Sequence, residues 1–226
     1  LKFAGSENIM RSFTVIGLSN FGYYLTKYLV DEGFPVMVID SDKERVDKVK
    51  SFVQKAIIAD ATDKETLKNL GLQDVDVVVV CLGERIDSSV LVTLHLRELG
   101  VKEIIVKSVT EDHEKILDII GATSTVFPER DMAFRIAQSI SHPNVLEYIP
   151  LGHDISVIEI VPPKEFIGKT LSELNLRNKY GIQVLVVKEM IPEKVSLIPR
   201  ADYKIKDSDI LVVIGKDKDL KKIQKY

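Results

Sequence analysis

Cysteine is almost missing from this 226-residue chain: Cys81 stands alone, so no intrachain disulfide can form. That composition predicts a reducing, cytoplasmic setting. No long run of Lys and Arg occurs and the formal net charge is −3, which argues against nucleic acid as a partner. Apolar stretches such as 77–82 fall far short of a membrane span. The first ten residues lack the basic-then-apolar order of a signal peptide. Any membrane role is therefore expected to run through a partner. Metal-ligand spacing, a nucleophile elbow and a Walker lysine are also missing. His95, His113, His142 and His153 are scattered along the chain. No catalytic set is visible.

What is present is an ordinary globular composition, 45% hydrophobic and 29% charged, in a length that suits one large or two modest domains. Strand patterns at 13–16, 36–40, 56–59, 75–82, 103–107 and 124–127 alternate with helical patterns at 21–32, 43–52, 64–70, 88–99 and 112–120. Such alternation predicts an α/β fold, a doubly wound parallel sheet of the Rossmann type with helices on both faces. The run Val77-Val78-Val79-Val80 reads as a strand buried on both sides. A helix over 130–141 follows, with Ala133, Ile136, Ala137 and Ile140 forming one apolar stripe. That stripe either packs on its own sheet or meets another subunit. His142-Pro143-Asn144 then breaks the helix. Short strands at 155–161, 183–188, 194–199 and 210–214, with helices at 171–175 and 218–225, predict a smaller α+β domain. The expected organisation is a first domain over 12–141, a linker over 142–152 and a second domain over 153–226.

The strongest motif is Thr14-Val15-Ile16-Gly17-Leu18-Ser19-Asn20-Phe21-Gly22, which follows a strand and opens a helix as a dinucleotide fingerprint does. Gly17 permits the tight turn and Gly22 lets helix and strand pack closely. The helix N-terminus offers free N–H groups and partial positive charge to a phosphate. Ser19 replaces a glycine of the fingerprint and narrows the approach, although its hydroxyl can donate. Asp40 ends the second strand, 23 positions after Gly17, where a ribose-hydroxyl acceptor is expected. A carboxylate there disfavours a 2′-phosphate, so NAD is expected over NADP. Asp40 also reads as a helix N-cap. Asp60-Ala61-Thr62 follows the third strand, beside the expected base position, and reads equally as a capping turn. Gly83 follows the fourth strand at the ligand-binding edge, and Cys81 beside it reads as a small buried hydrophobe.

With these residues assembled, the chain resembles the RCK (regulator of potassium conductance) family. The first domain is similar to TrkA-N, and the whole is similar to the cytosolic regulatory subunits of Ktr- and Trk-type potassium uptake systems. The resemblance runs through residues 13–22, Ile57-Ile58-Ala59-Asp60-Ala61-Thr62-Asp63, Val106-Lys107 and Phe127-Pro128-Glu129-Arg130-Asp131-Met132 into 136–140. In the second domain, similar to TrkA-C, it continues through 168–171, Leu174-Asn175-Leu176-Arg177 and 209–215. It implies a homo-oligomer, an octameric ring built from dimers, at the inner face of the cell membrane. The ring docks on a potassium-conducting membrane subunit of the KtrB or TrkH type. ATP and ADP (or AMP) compete in the first domain and NAD(H) can occupy the same site.

Residue by residue, Gly17, Ser19, Asn20, Phe21 and Gly22 match the family's phosphate loop. Asp40 matches the ribose carboxylate, and Asp60, Ala61 and Thr62 match the adenine side. Lys107 matches a lysine at the end of the fifth strand, and reads otherwise as a snorkelling surface side chain. Glu129 matches a carboxylate that binds a divalent cation near the phosphates, and reads otherwise as a first-turn acid suited to the helix dipole. The resemblance places an arginine where this chain has Asn20, which cannot make a bidentate contact to a terminal phosphate. Losing such a contact costs roughly 1.5–3 kcal/mol, so AMP, ADP or NAD rises against ATP here. Cyclic di-AMP is implied in the second domain of some relatives, with Asn175 and Arg177 as its polar candidates. Two other function classes share these motifs: an NAD-dependent oxidoreductase, and a ring subunit whose altered loop binds nothing.

Overall fold

β-Branched residues dominate the first strands because both faces of their sheet are covered. The computed structural model describes residues 11–83 and 85–224. Its contacts divide into two units between Glu129 and Arg130. In the first unit, β1 (Phe13–Ile16), β2 (Val36–Asp40), β3 (Lys55–Ile58), β4 (Val77–Val80), β5 (Glu103–Lys107) and β6 (Ser124–Val126) form one parallel sheet. The strand order is β3-β2-β1-β4-β5-β6, the doubly wound order that leaves a switch point between β1 and β4. All four valines of β4 are buried.

Between the strands run α1 (Asn20–Asp31), α2 (Lys43–Val49), α3 (Lys64–Asn69), α4 (Ile86–Glu98) and α5 (Glu111–Ile120). Val15, Val38, Val46 and Val49 belong to one apolar cluster, and Ile16, Ile39, Leu67, Leu96 and Leu117 to another. Successive residues of β1 and β2 thus point to opposite faces, as a two-residue side-chain period requires. Local chemistry sets the helix starts. Asp42 accepts N–H bonds from Glu44 and Arg45, Asp63 from Glu65 and Thr66, and Thr110 from His113.

Helix α6 (Pro128–Ser141) buries none of its residues, and Met132, Phe134, Ile136 and Ile140 are exposed. Beyond it, β7 (Val145–Gly152), β8 (Ile155–Ile160), α7 (Leu171–Leu174), α8 (Leu176–Tyr180), β9 (Ile182–Met190), β10 (Glu193–Leu197), β11 (Asp209–Lys216) and α9 (Asp217–Leu220) follow. The strands make an antiparallel sheet in the order β10-β9-β11-β8-β7. Ile158, Ile160, Val187, Leu211 and Val213 form its core with Phe166, Leu174 and Leu176.

Several expectations change here. Residues 145–152, expected as linker, form β7, an edge strand of the second sheet. A register shift between Val145 and Glu147 puts Val145 and Tyr148, three apart, into the core, so the segment carries no two-residue alternation to read. The helix expected over 171–175 is two short helices, because Asn175 adopts a left-handed conformation at φ 45° between them. The strand expected over 194–199 stops at Leu197, where Ile198 turns left-handed at φ 48°. Of the helix expected over 218–225, the last residue lies outside the described residues.

Candidate nucleotide site

Parallel strands deliver all their carboxyl ends to one edge, so the residues singled out after β1, β2, β3, β4 and β5 share that edge. The loop after β1 is the most constrained part. Gly17 turns at φ +92°, and a Cβ there would lie 2.6 Å from the Cys81 carbonyl oxygen. A Cβ on Gly22 would lie 2.0 Å from the Gly17 carbonyl oxygen. Both positions therefore exclude any side chain. The turn is tied to its neighbours by Gly17 N–H donating to Ile39 O at 2.8 Å and Cys81 N–H to Ile16 O at 2.7 Å.

Ser19 sits at the N-cap of α1 but caps nothing: its hydroxyl donates sideways to Cys81 O at 3.0 Å. The helical ladder begins with Tyr23 N–H donating to Ser19 O at 2.8 Å. Asn20, Phe21 and Gly22 thus bring their N–H groups to the helix end outside that ladder, the arrangement that suits a phosphate. Cys81 is fully buried, and burial pushes its thiol up to about 12, with the Lys107 ammonium offsetting part of the effect. It is a packing residue.

Asp40 ties the loop after β1 to the turn after β2. Its carboxylate accepts Leu18 N–H at 2.6 Å on one oxygen and Asp42 N–H at 2.9 Å on the other. The side chain is only 3% exposed, and Arg45 Nη1 lies 3.8 Å away. The N-cap of α2 is Asp42 instead. Asp60 accepts both the backbone N–H of Thr62 at 2.9 Å and its hydroxyl at 2.7 Å. These two bonds, with help from Arg85, hold its carboxyl below the usual carboxylate range. Ala61 is buried beneath that turn. Gly83 turns at φ +67° with open space where a Cβ would point.

Lys107 is 8% exposed and its ammonium donates to Glu129 at the start of α6. Partial burial works against the charge on Glu129, but the hydrogen bond and charge of Lys107 outweigh it and keep the carboxyl low. The snorkelling alternative for Lys107 therefore gives way to a buried ammonium paired with a largely exposed carboxylate. Among the described residues no group of three or more His, Cys, Asp or Glu is placed to hold a metal ion.

Sequence patterning passed over a cleft of about 520 Å³ beside the loop, lined by Leu18, Ser19, Asn20, Tyr23, Tyr24, Arg45 and Lys48. Its α2 residues stand three apart on one helix face, a spacing that surface helices show everywhere and that carries no signal without the loop beside it. In the second unit, Asn175 and Arg177 line a smaller cleft of about 220 Å³ with Pro199 and Ala201.

A parallel sheet in Rossmann order with a glycine-locked loop after its first strand, followed by a small antiparallel domain, defines a two-domain protein of the Rossmann class. The TrkA-N domain family matches residues 13–128 and the TrkA-C domain family residues 155–226. The chain is 44% identical over 215 residues to Ktr system potassium uptake protein C of Bacillus subtilis (strain 168), covering 95% of this chain and 96% of the relative. It is 37% identical over 214 residues to Ktr system potassium uptake protein A of the same organism, with the same coverage. Among solved structures, the GsuK channel bound to NAD superposes with a TM-score of 0.56 at 19% identity, covering 97% of this chain and 39% of that one. This likeness concerns the fold.

The chain belongs to the family of Ktr-system potassium uptake proteins built from a TrkA-N and a TrkA-C domain. It is a transport-system component and not an enzyme. Among the described residues no helix is long and apolar enough to cross a membrane.

Proposed function

We propose that the chain is the cytoplasmic regulatory subunit of a Ktr- or Trk-type system, sensing adenine nucleotides and controlling K+ flux through a membrane subunit. The observation that carries this reading is the phosphate loop. Gly17 and Gly22 leave no room for a side chain, and three N–H groups are left at the start of α1. Asp40 takes the ribose, Asp60, Ala61 and Thr62 the base side, and Lys107 and Gly83 complete the edge. A divalent cation at Glu129 draws its remaining ligands from phosphates, since Glu129 brings one carboxylate already paired to Lys107. The exposed face of α6 supports assembly with further copies into a ring, the octamer that the family resemblance implies. The cleft at Asn175 and Arg177 supports cyclic di-AMP as a second ligand.

Gating is then a population shift between ring shapes, and each nucleotide acts only through its difference in affinity for the two. Near-complete switching takes about 5.5 kcal/mol, summed over coupled sites. Native mass spectrometry with ATP, ADP, AMP and NAD tests the reading. The expected result is a multi-subunit assembly retaining one adenine nucleotide per chain. A monomer that retains none of the four overturns it.

A further inference from the structure

Two arginines reach the carboxyl edge of the parallel sheet, and they differ in what they are free to do. Arg45 is tied down, 3.8 Å from Asp40 and 3.4 Å from Asp42. Arg85 stands at the N-cap position of α4, two residues after Gly83, and its side chain caps nothing. It is exposed and makes no hydrogen bond or ion pair among the described residues, not even with Asp87 in the first turn of its own helix. An unpaired arginine on a surface is ordinary; the place of this one is not.

β3 and β4 are not neighbours in the sheet, yet the loops that follow them meet. Ala61 after β3 and Leu67 of α3 belong to one apolar cluster with Val92 and Leu96 of α4, so both helices lie on the same face of the sheet, and there α3 packs against α4. The charge of Arg85 accordingly acts on the Asp60 carboxylate, although no ion pair joins them. Asp60 commits Oδ1 to both donors of Thr62, which fixes the turn. The base side of the edge thus has a fixed turn on one flank and a free guanidinium on the other. What it lacks is a surface for the ring of a base: Asp60, Ala61 and Thr62 include no flat side chain, and Ala61 is buried.

We propose that Arg85 supplies that surface, stacking its guanidinium on the face of the bound adenine across from the Asp60-Ala61-Thr62 turn. A guanidinium is planar, weakly hydrated and always charged, so it stacks on an aromatic ring and is attracted by its face. Arg85 then determines how tightly the base is held and is indifferent to the number of phosphates. This inference rests on the nucleotide reading of the loop and adds a residue to its base side.

The test is calorimetric titration of the full chain with AMP, ADP and NAD, for the unaltered protein, Arg85→Ala and Arg85→Lys. Each ligand carries the same adenine, so Arg85→Ala is expected to lower affinity for all three by a common factor, about fivefold or more. Arg85→Lys keeps the charge and loses the flat face, and is expected to lie closer to the alanine variant than to the unaltered chain. Melting temperatures should not move, because the side chain holds no other part of the fold. A loss that is larger for ADP than for AMP overturns the stack, since it assigns the arginine to phosphate; full recovery in Arg85→Lys overturns it too. If the three ligands bind and Arg85→Ala loses nothing, the Arg85 assignment alone falls. If none of the three binds the unaltered chain, it is the loop reading that falls, and the stack with it.

Discussion

Gly22 and Gly83 lie on the same sheet edge but are held to different standards. A methyl group at Gly22 meets the Gly17 carbonyl at 2.0 Å, and that backbone cannot swing aside as the end of a side chain could. Gly83 has open space and only a left-handed φ of +67° to accommodate. Gly22→Ala is therefore expected to cost about 3 kcal/mol or to prevent folding, and Gly83→Ala about 1 kcal/mol. Thermal melts of the two variants check the ordering, and equal melting points would contradict the loop geometry. Asp40 is a second case where one residue has two duties. Asp40→Ala is expected to weaken adenine-nucleotide binding by removing the ribose acceptor. It also strands the buried Leu18 N–H, at roughly 1–3 kcal/mol of stability. Calorimetry and urea unfolding separate the two losses, and a variant that keeps both affinity and midpoint would show that the carboxylate does neither.

Helices α4 and α5 are clasped by a buried polar contact. Ser89 Oγ and His113 Nε2 lie 2.9 Å apart, both residues are 1% exposed, and His113 Nδ1 has no partner among the described residues. Burial pushes the imidazole below its ordinary value of 6.5. Below pH 6.5 the unfolded chain gains a proton that the native ring refuses, so stability falls as pH drops from there toward the native value. Above it, both states are neutral and the contribution is flat. The slope is at most about 1.4 kcal/mol per pH unit. Urea midpoints at several pH values for the unaltered chain and for His113→Gln check this: the variant should lose the slope. Helix α6 makes the opposite point. It keeps its helical pattern while burying no side chain, so its apolar stripe owes nothing to the core.

For the protein as an assembly, that stripe is the element to test. If copies associate through it, Ile136→Asp, at a position 52% exposed, should shift the native mass toward smaller species. The melting of the remaining protomer should change little, because surface substitutions away from core contacts usually lie within about 0.5 kcal/mol. An unchanged native mass would place the assembly surface elsewhere. The ligand readout belongs at this level too, since the relatives are components of uptake systems and a nucleotide matters there only through what the assembly does with it.

Periodicity was enough to read the six parallel strands and the helices between them, because each element carries its own local signal. The valine run of β4, the Asp and Thr caps of α2, α3 and α5, and the glycines of the first loop all act within a few residues of themselves. β7 was not legible: its bulge cancels the alternation, and it is a strand only because β8 offers it hydrogen bonds. α8 was hidden behind a left-handed Asn175 that reads as a helix end. The positions proposed for the site could likewise be named from the sequence, since they follow strands that the fold brings to one sheet edge. Their working state could not. That Asp40 is buried and already bonded depends on Leu18 and Asp42 folding over it, and that Lys107 is an ion pair depends on α6 bringing Glu129 to it. Local pattern is written in the order of residues, whereas burial and charge balance are properties of neighbours that only the folded chain brings together.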